Sequence, residues 1–392
     1  MEVRTSIEQT DLDVIPVEWT LIPLEAIASM KSGVSITAAE IDEFSIYPCY
    51  GGNGLRGFTT RFTHDGSHAL IGRQGALCGN VLGVGGRFFA SEHAIVVTAS
   101  SRTDIAWLTF VLSQMHLNRY SESSAQPGLS VAKIRNLVVA TPPAKAEQLA
   151  IAVALSDADG LIESLEQIIA KKRQIKQGAM QELLTGKKRL PGFVGEWKDR
   201  TLGEVCLKIQ DGTHFSPELG GRDFLYVTSK NVGCGTLDLS SAEMISAAEH
   251  AKIYSRCDVA KGDLLITKDG ASTGNAALNT FDEQFSLLSS VAMLRFDTGR
   301  HLAHYFLYQI LSDDGQRQIK ELMSGNAITR LTLRKIRLLR FPVAPFDEQE
   351  AIAAVLSDMD AEIDALERKL DKASQIKQGM MQELLTGRIR LI

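Results

Sequence analysis

Arginine, lysine, asparagine and glutamine carry donors and acceptors spaced to match the edges of nucleic-acid bases. In this chain these and other polar residues gather at turns, in two groups. Asn53, Arg56, Arg73, Gln74 and Gln126 form the first; His214, Ser229, Lys230, Asn231, Lys268, Asp269, Asn326 and Arg330 form the second. Loop polarity accounts for any one of them equally well. Their occurrence as two clusters at corresponding places makes them candidate DNA contacts.

Other chemistries are poorly supported. Gly52-x-Gly54-x-x-Gly57 has dinucleotide-fingerprint spacing, but Phe58-Thr59-Thr60-Arg61-Phe62 follows, which is β-prone and cannot open a helix under a pyrophosphate. A tight glycine turn is the better reading. Thr185-Gly186-Lys187 and Thr386-Gly387-Arg388 lack the upstream glycine and trailing hydroxyl of a phosphate loop. His301-x-x-His304 has no acidic residue spaced as a third metal ligand. The acids upstream of Glu196-x-Lys198 fall on a helix rather than a strand. No catalytic or metal site is expected.

Composition is that of a globular chain, 44% hydrophobic and 23% charged. The net charge of −5 counts against a protein that binds nucleic acid unaided through bulk phosphate neutralisation. It leaves room for a reader using a few local contacts while partners supply the rest. No apolar run approaches the roughly 20 residues of a membrane helix, and the opening MEVRTSIEQTDLD is polar and acidic, unlike a signal peptide. The five scattered cysteines contain no C-x-x-C pair, which suits a reducing cytoplasm.

The elements that must position the turns are announced by a repeat. Gln174–Gly186, QIKQGAMQELLTG, returns as Gln375–Gly387, QIKQGMMQELLTG, with only Ala179 changed to Met380. At the same offset, Glu147-Gln148, Ala150-Ile151-Ala152 and Leu155-Ser156-Asp157 recur as Glu348-Gln349, Ala351-Ile352-Ala353 and Leu356-Ser357-Asp358. Both copies keep apolar residues at three- and four-residue spacing, so each predicts a proline-free helix of roughly 60 Å, at 1.5 Å per residue. Gly186 and Gly387 stand where a left-handed C-cap belongs. Gln148, Ile151, Leu155 and Gly178, with Gln349, Ile352, Leu356 and Gly379, are candidate positions for helix packing or partner docking. The two glycines suggest close helix approach.

Each helix follows a globular region that opens alike, Pro16-Val17-Glu18-Trp19 and Gly195-Glu196-Trp197. Runs such as His68–Gly72, Ala94–Thr98, Asp263–Ile266 and Ser290–Phe296 read as strands; Asp104–Met115 and His301–Leu311 read as helices. The predicted division is 1–143 and 191–345 as globular regions, with 144–190 and 346–392 as helical segments. The fold class is α+β: two mixed α/β regions held apart by two long antiparallel helices, a coiled-coil-like spacer with an internal pseudo-twofold repeat. Connectivity predicts that chain end and chain start lie close together, closing a dumbbell.

With these features the chain resembles the specificity subunits of type I restriction–modification systems. The resemblance is carried by the paired helix signature, Tyr50-Gly51-Gly52-Asn53-Gly54, Asp211-Gly212-Thr213-His214 and Gly262–Gly270, and it covers essentially the whole chain. It implies two target recognition domains, each reading half of a split double-stranded DNA sequence, and a spacer that docks two methyltransferase subunits and, through them, restriction subunits. It further implies that S-adenosylmethionine, ATP and magnesium are used on those partners and that this chain holds no cofactor. The competing expectations are a coiled-coil scaffold that joins partners without reading DNA, and a stand-alone enzyme, which no motif supports.

Overall fold

The computed structural model describes residues 15–75, 77–121, 128–323 and 330–391. The chain divides into two compact units, one drawn from the chain up to Glu166 and from Arg368 onward, the other from Gln167–Glu367. Each unit thus holds one globular region together with part of both long helices.

In the first unit, His68–Gly72 is buried at every position because strands flank it on both sides, Val81–Val84 and Ala94–Ala99. Ala28–Ser32 extends this antiparallel sheet at its edge. A second sheet joins Tyr47–Gly51 antiparallel to Gly54–Thr59 and parallel to Arg87–Ala90. A separate antiparallel pair, Thr20–Pro23 with Val138–Thr141, ties the start of the region to its end. Helix Ile105–Gln114 buries Trp107, Leu108, Val111 and Leu112 in the core, and its N-terminus is capped by Asp104 accepting from the Trp107 N–H.

The second unit repeats the plan. Leu264–Thr267 is the buried strand between Ala276–Leu278 and Val291–Phe296, with Cys206–Asp211 at the edge. Leu219–Val227 pairs antiparallel with Glu243–Ile245 and parallel with Phe285–Leu287. Lys198–Thr201 and Arg340–Val343 form the matching two-stranded tie.

The long helices are Lys145–Leu183 and Phe346–Leu384, each 39 residues. In both units their segments run antiparallel: Asp159 pairs with Lys377 and Glu147 with Arg390 in the first, Arg173 with Glu367 and Lys176 with Asp360 in the second. Pairs between exposed side chains contribute little to stability, whereas Glu147 is buried, its side chain 2% exposed, and its pair with Arg390 is of another kind; apolar burial does more. Ile151 and Leu155 sit in the first unit's core, with Leu384 and Leu385 from the other helix. Ile352 and Leu356 take the same place in the second, with Leu183 and Leu184. Both helices end as expected, with Gly186 and Gly387 at φ +69° and +74°. Gly387 packs on Pro16 and Trp19, and Arg390 reaches Glu18 and Glu147, so residues 387–390 do lie against residues 16–19.

The structure corrects two expectations about the helices. Gln148 and Gln349 are buried and unavailable to a partner. Gln148 accepts from the Asp104 N–H and donates to the Pro142 carbonyl, and Gln349 does the same with Leu302 and Ala344. With the buried Ile151, Leu155, Ile352 and Leu356, they seat each helix on its own globular region rather than forming a docking surface. Gly178 and Gly379 do not mark close approach among the described residues either, since a Cβ at either meets nothing within 4 Å there. A helix-interior glycine in open space only costs backbone entropy. We therefore expect Gly178→Ala with Gly379→Ala to stabilise the isolated chain by about 1–2 kcal/mol in total, read as a higher midpoint of thermal unfolding.

Candidate nucleic-acid interface

In both units the candidate residues stand on one recurrent backbone frame. The Arg73 N–H donates to the His93 carbonyl, and the Arg73 carbonyl accepts from Leu129. Lys268 makes the same two bonds, its N–H to Ser290 and its carbonyl from Leu331. Beneath them, Gly33 donates to Ala94 as Gly212 does to Val291. The crossing at these two glycines admits no side chain: a Cβ would lie 2.2 Å from the Ser91 carbonyl oxygen at Gly33 and 1.9 Å from that of Leu287 at Gly212. This close approach explains the glycine of Asp211-Gly212-Thr213-His214 and reveals its counterpart, Ser32-Gly33-Val34, which the sequence reading missed. The shared frame makes Arg73 equivalent to Lys268, Gln74 to Asp269 and Ser32 to Asp211.

On this frame the first unit presents open side chains. Asn53 is exposed in the tight turn between Tyr47–Gly51 and Gly54–Thr59, where Gly54 takes φ +86°. That turn opens a second strand and no helix, which fits the tight-turn reading of its glycines. Arg56 is exposed, and its methylenes lie along Gly51. Arg73 is half-buried and makes no ion pair among the described residues. Gln74 is exposed and shares a 3.0 Å hydrogen bond with His93, a neighbour that sequence reasoning did not single out. Gln126 lies outside the described residues.

The second unit fills the same frame with charge. Lys268 donates to Asp211 at 2.6 Å, and the two side chains are only 7% and 5% exposed. Lys268 is therefore a buried ion-pair partner rather than an available reader. Asn231 is also corrected: it is buried, accepting from the Thr228 N–H and donating to the Asp238 carbonyl, and so closes a turn. Ser229 is half-buried and its backbone is pinned, its N–H donating to Ser290 and its carbonyl accepting from Ser272. Lys230 is exposed on the same turn. His214 reaches Asp211 at 3.3 Å, and Arg256, also missed, stands 4.0 Å from the same carboxylate. Arg330 donates to both oxygens of Asp269, at 2.6 and 2.7 Å. These bonds hold the Asp269 carboxyl below the usual carboxylate range, overcoming burial that acts the other way. Asn326 lies outside the described residues.

Of the motifs set aside above, His301 packs edge-on against Phe306 and His304 stacks on Tyr308, and burial lowers the pKa of both. Among the described residues no cluster of His, Cys, Asp or Glu could hold a metal ion, and no helix is long and apolar enough to cross a membrane.

Two repeated α/β units, each lifting a variable set of polar turns from one fixed frame and each seated on a long helix, define a bipartite recognition protein. The chain belongs to the type I restriction modification DNA specificity domain family, whose model matches it twice, at residues 16–174 and 195–376. It is similar to the EcoprrI specificity subunit of Escherichia coli, 44% identical over 149 residues, a stretch spanning 37% of either chain. It is also similar to the MjaVIII specificity subunit of Methanocaldococcus jannaschii, 24% identical over 71% of this chain and 68% of that one. A solved S subunit from M. genitalium shares the fold over 95% of this chain and 96% of its own, with a TM-score of 0.67 at 18% identity.

Proposed function

We propose that this chain is the sequence-reading, non-catalytic subunit of a type I restriction–modification complex. Each unit reads one half of a split double-stranded DNA target, and the long helices fix the spacing between the halves. The observation that supports this reading is the pair of turn clusters on one backbone frame: Arg73 and Gln74 in one unit, Asp269 with its exposed partner Arg330 in the other. A constant frame with different side chains is what reading two different half-sequences by one geometry requires.

The same reading assigns the chemistry to partners. Two methyltransferase subunits, with restriction subunits beyond them, would use S-adenosylmethionine, ATP and magnesium, and this chain would hold none of these. For docking it uses helix residues other than those picked from the sequence. Leu149, Val153 and Leu161 of the first unit, and Ile168 and Ile175 of the second, are 44–54% exposed. Exposed apolar side chains on a helix are a ready contact for a protein partner.

The test is selection of bound DNA from a random pool by the chain co-expressed with its methyltransferase subunit. Enrichment of one motif with two fixed halves and an unfixed gap is expected. Equal affinity for every sequence would leave only the scaffold reading.

A further inference from the structure

The Asp269–Arg330 pair has a directionality that its neighbours lack. Asp269 engages the Nε and Nη2 edge of the guanidinium, and the Arg330 side chain remains 55% exposed. A guanidinium has five N–H donors in a rigid fork. With one edge engaged, the Nη1–Nη2 edge still offers two parallel N–H groups. That spacing suits the O6 and N7 acceptors of guanine in the major groove. The pair is also electrically balanced. A phosphate oxygen approaching Arg330 meets the Asp269 carboxylate with its full charge, whereas a neutral base edge is repelled far less by that neighbour. The backbone is anchored too, since Leu331 donates to the Lys268 carbonyl and Lys335 to that of Arg330.

Among the described residues the first unit has no such device. Gln74 stands at the Asp269 position, and Gly128 faces it across an isolated bridge where the second unit has Arg330.

We propose that Arg330, aimed by Asp269, reads a guanine in the half of the target met by the second unit, with Asp269 acting as the positioning residue. The proposal rests on the DNA-reading function proposed above. Mapping methylated sites made by the complex, wild type against Arg330→Gln and Asp269→Asn, tests it. The wild-type motif should contain a fixed G·C pair in the second unit's half. Arg330→Gln should lower discrimination at that pair by roughly 5- to 150-fold and leave the other half unchanged. Asp269→Asn, which keeps the arginine, should relax the same pair, and it serves as the independent reading if Arg330→Gln does not assemble. A second half without a fixed G·C pair overturns the proposal. So does uniform weakening at all positions, the mark of a phosphate contact. Loss of any two-part motif in the wild type would instead overturn the underlying function and this proposal with it.

Discussion

Lys268→Met should destabilise the second unit by about 3 kcal/mol, because it strands a buried carboxylate. Asp211 is 5% exposed and Lys268 supplies its one close charged hydrogen bond, at 2.6 Å. His214 at 3.3 Å and Arg256 at 4.0 Å lie near enough to offset part of the loss, which sets the expectation toward the lower end of the 3–5 kcal/mol range for broken buried pairs. Replacing both partners, Lys268→Met with Asp211→Leu, should restore most of the stability, since no charge is then left without a partner. Chemical denaturation of the four corners of this cycle checks the claim. A loss on Lys268→Met that the double variant does not recover would mean that the lysine acts through something other than the ion pair.

The second large effect is expected at Glu348. Its side chain is fully buried and accepts from Arg189 Nε and Nη2, each at 2.6 Å, and from Trp197 Nε1 at 2.9 Å. The Arg189 guanidinium also lies 5.4 Å over the Trp197 ring. Glu348→Ala removes the acceptor of three donors at once and should cost about 3–5 kcal/mol. Glu348→Gln keeps the shape and one acceptor oxygen and should cost less. The tether joins the start of the second long helix to the chain just past the end of the first. Faster amide exchange over residues 186–201 should therefore accompany the loss, and unchanged exchange there would contradict the account. Glu147 and Arg390 form the same tether in the first unit.

Helix register was legible in the residues because a single face repeats without interruption. The spacing of Ile151, Leu155 and their copies places both long helices, and Gly186 and Gly387 close them in the left-handed conformation. Buried strands such as His68–Gly72 were legible as continuous apolar runs. The two-stranded ties were not: Lys198–Thr201 is KDRT, with no apolar alternation, and it is a strand only because Arg340–Val343 pairs with it.

The candidate site was legible by residue type and not by direction. Lys268 and Asp269 are adjacent, yet one points inward to Asp211 and the other holds an exposed arginine. The partners that decide this are 57 and 61 residues away. Asn231 was mistaken for a reader because turn-closing and base-reading draw on the same amide. Gly178 and Gly379 were read as packing glycines because repetition marks a position without saying what lies opposite it.

The pairing of Thr20–Pro23 with Val138–Thr141 brings together the start and end of the first globular region, and we propose residues 16–143 as the block to exchange. The most direct measurement is methylome mapping of a complex in which this block is replaced by that of a relative with another target. The expected motif has one half changed while the other half and the gap between them stay as they were. A motif altered in both halves, or altered in neither, would contradict it.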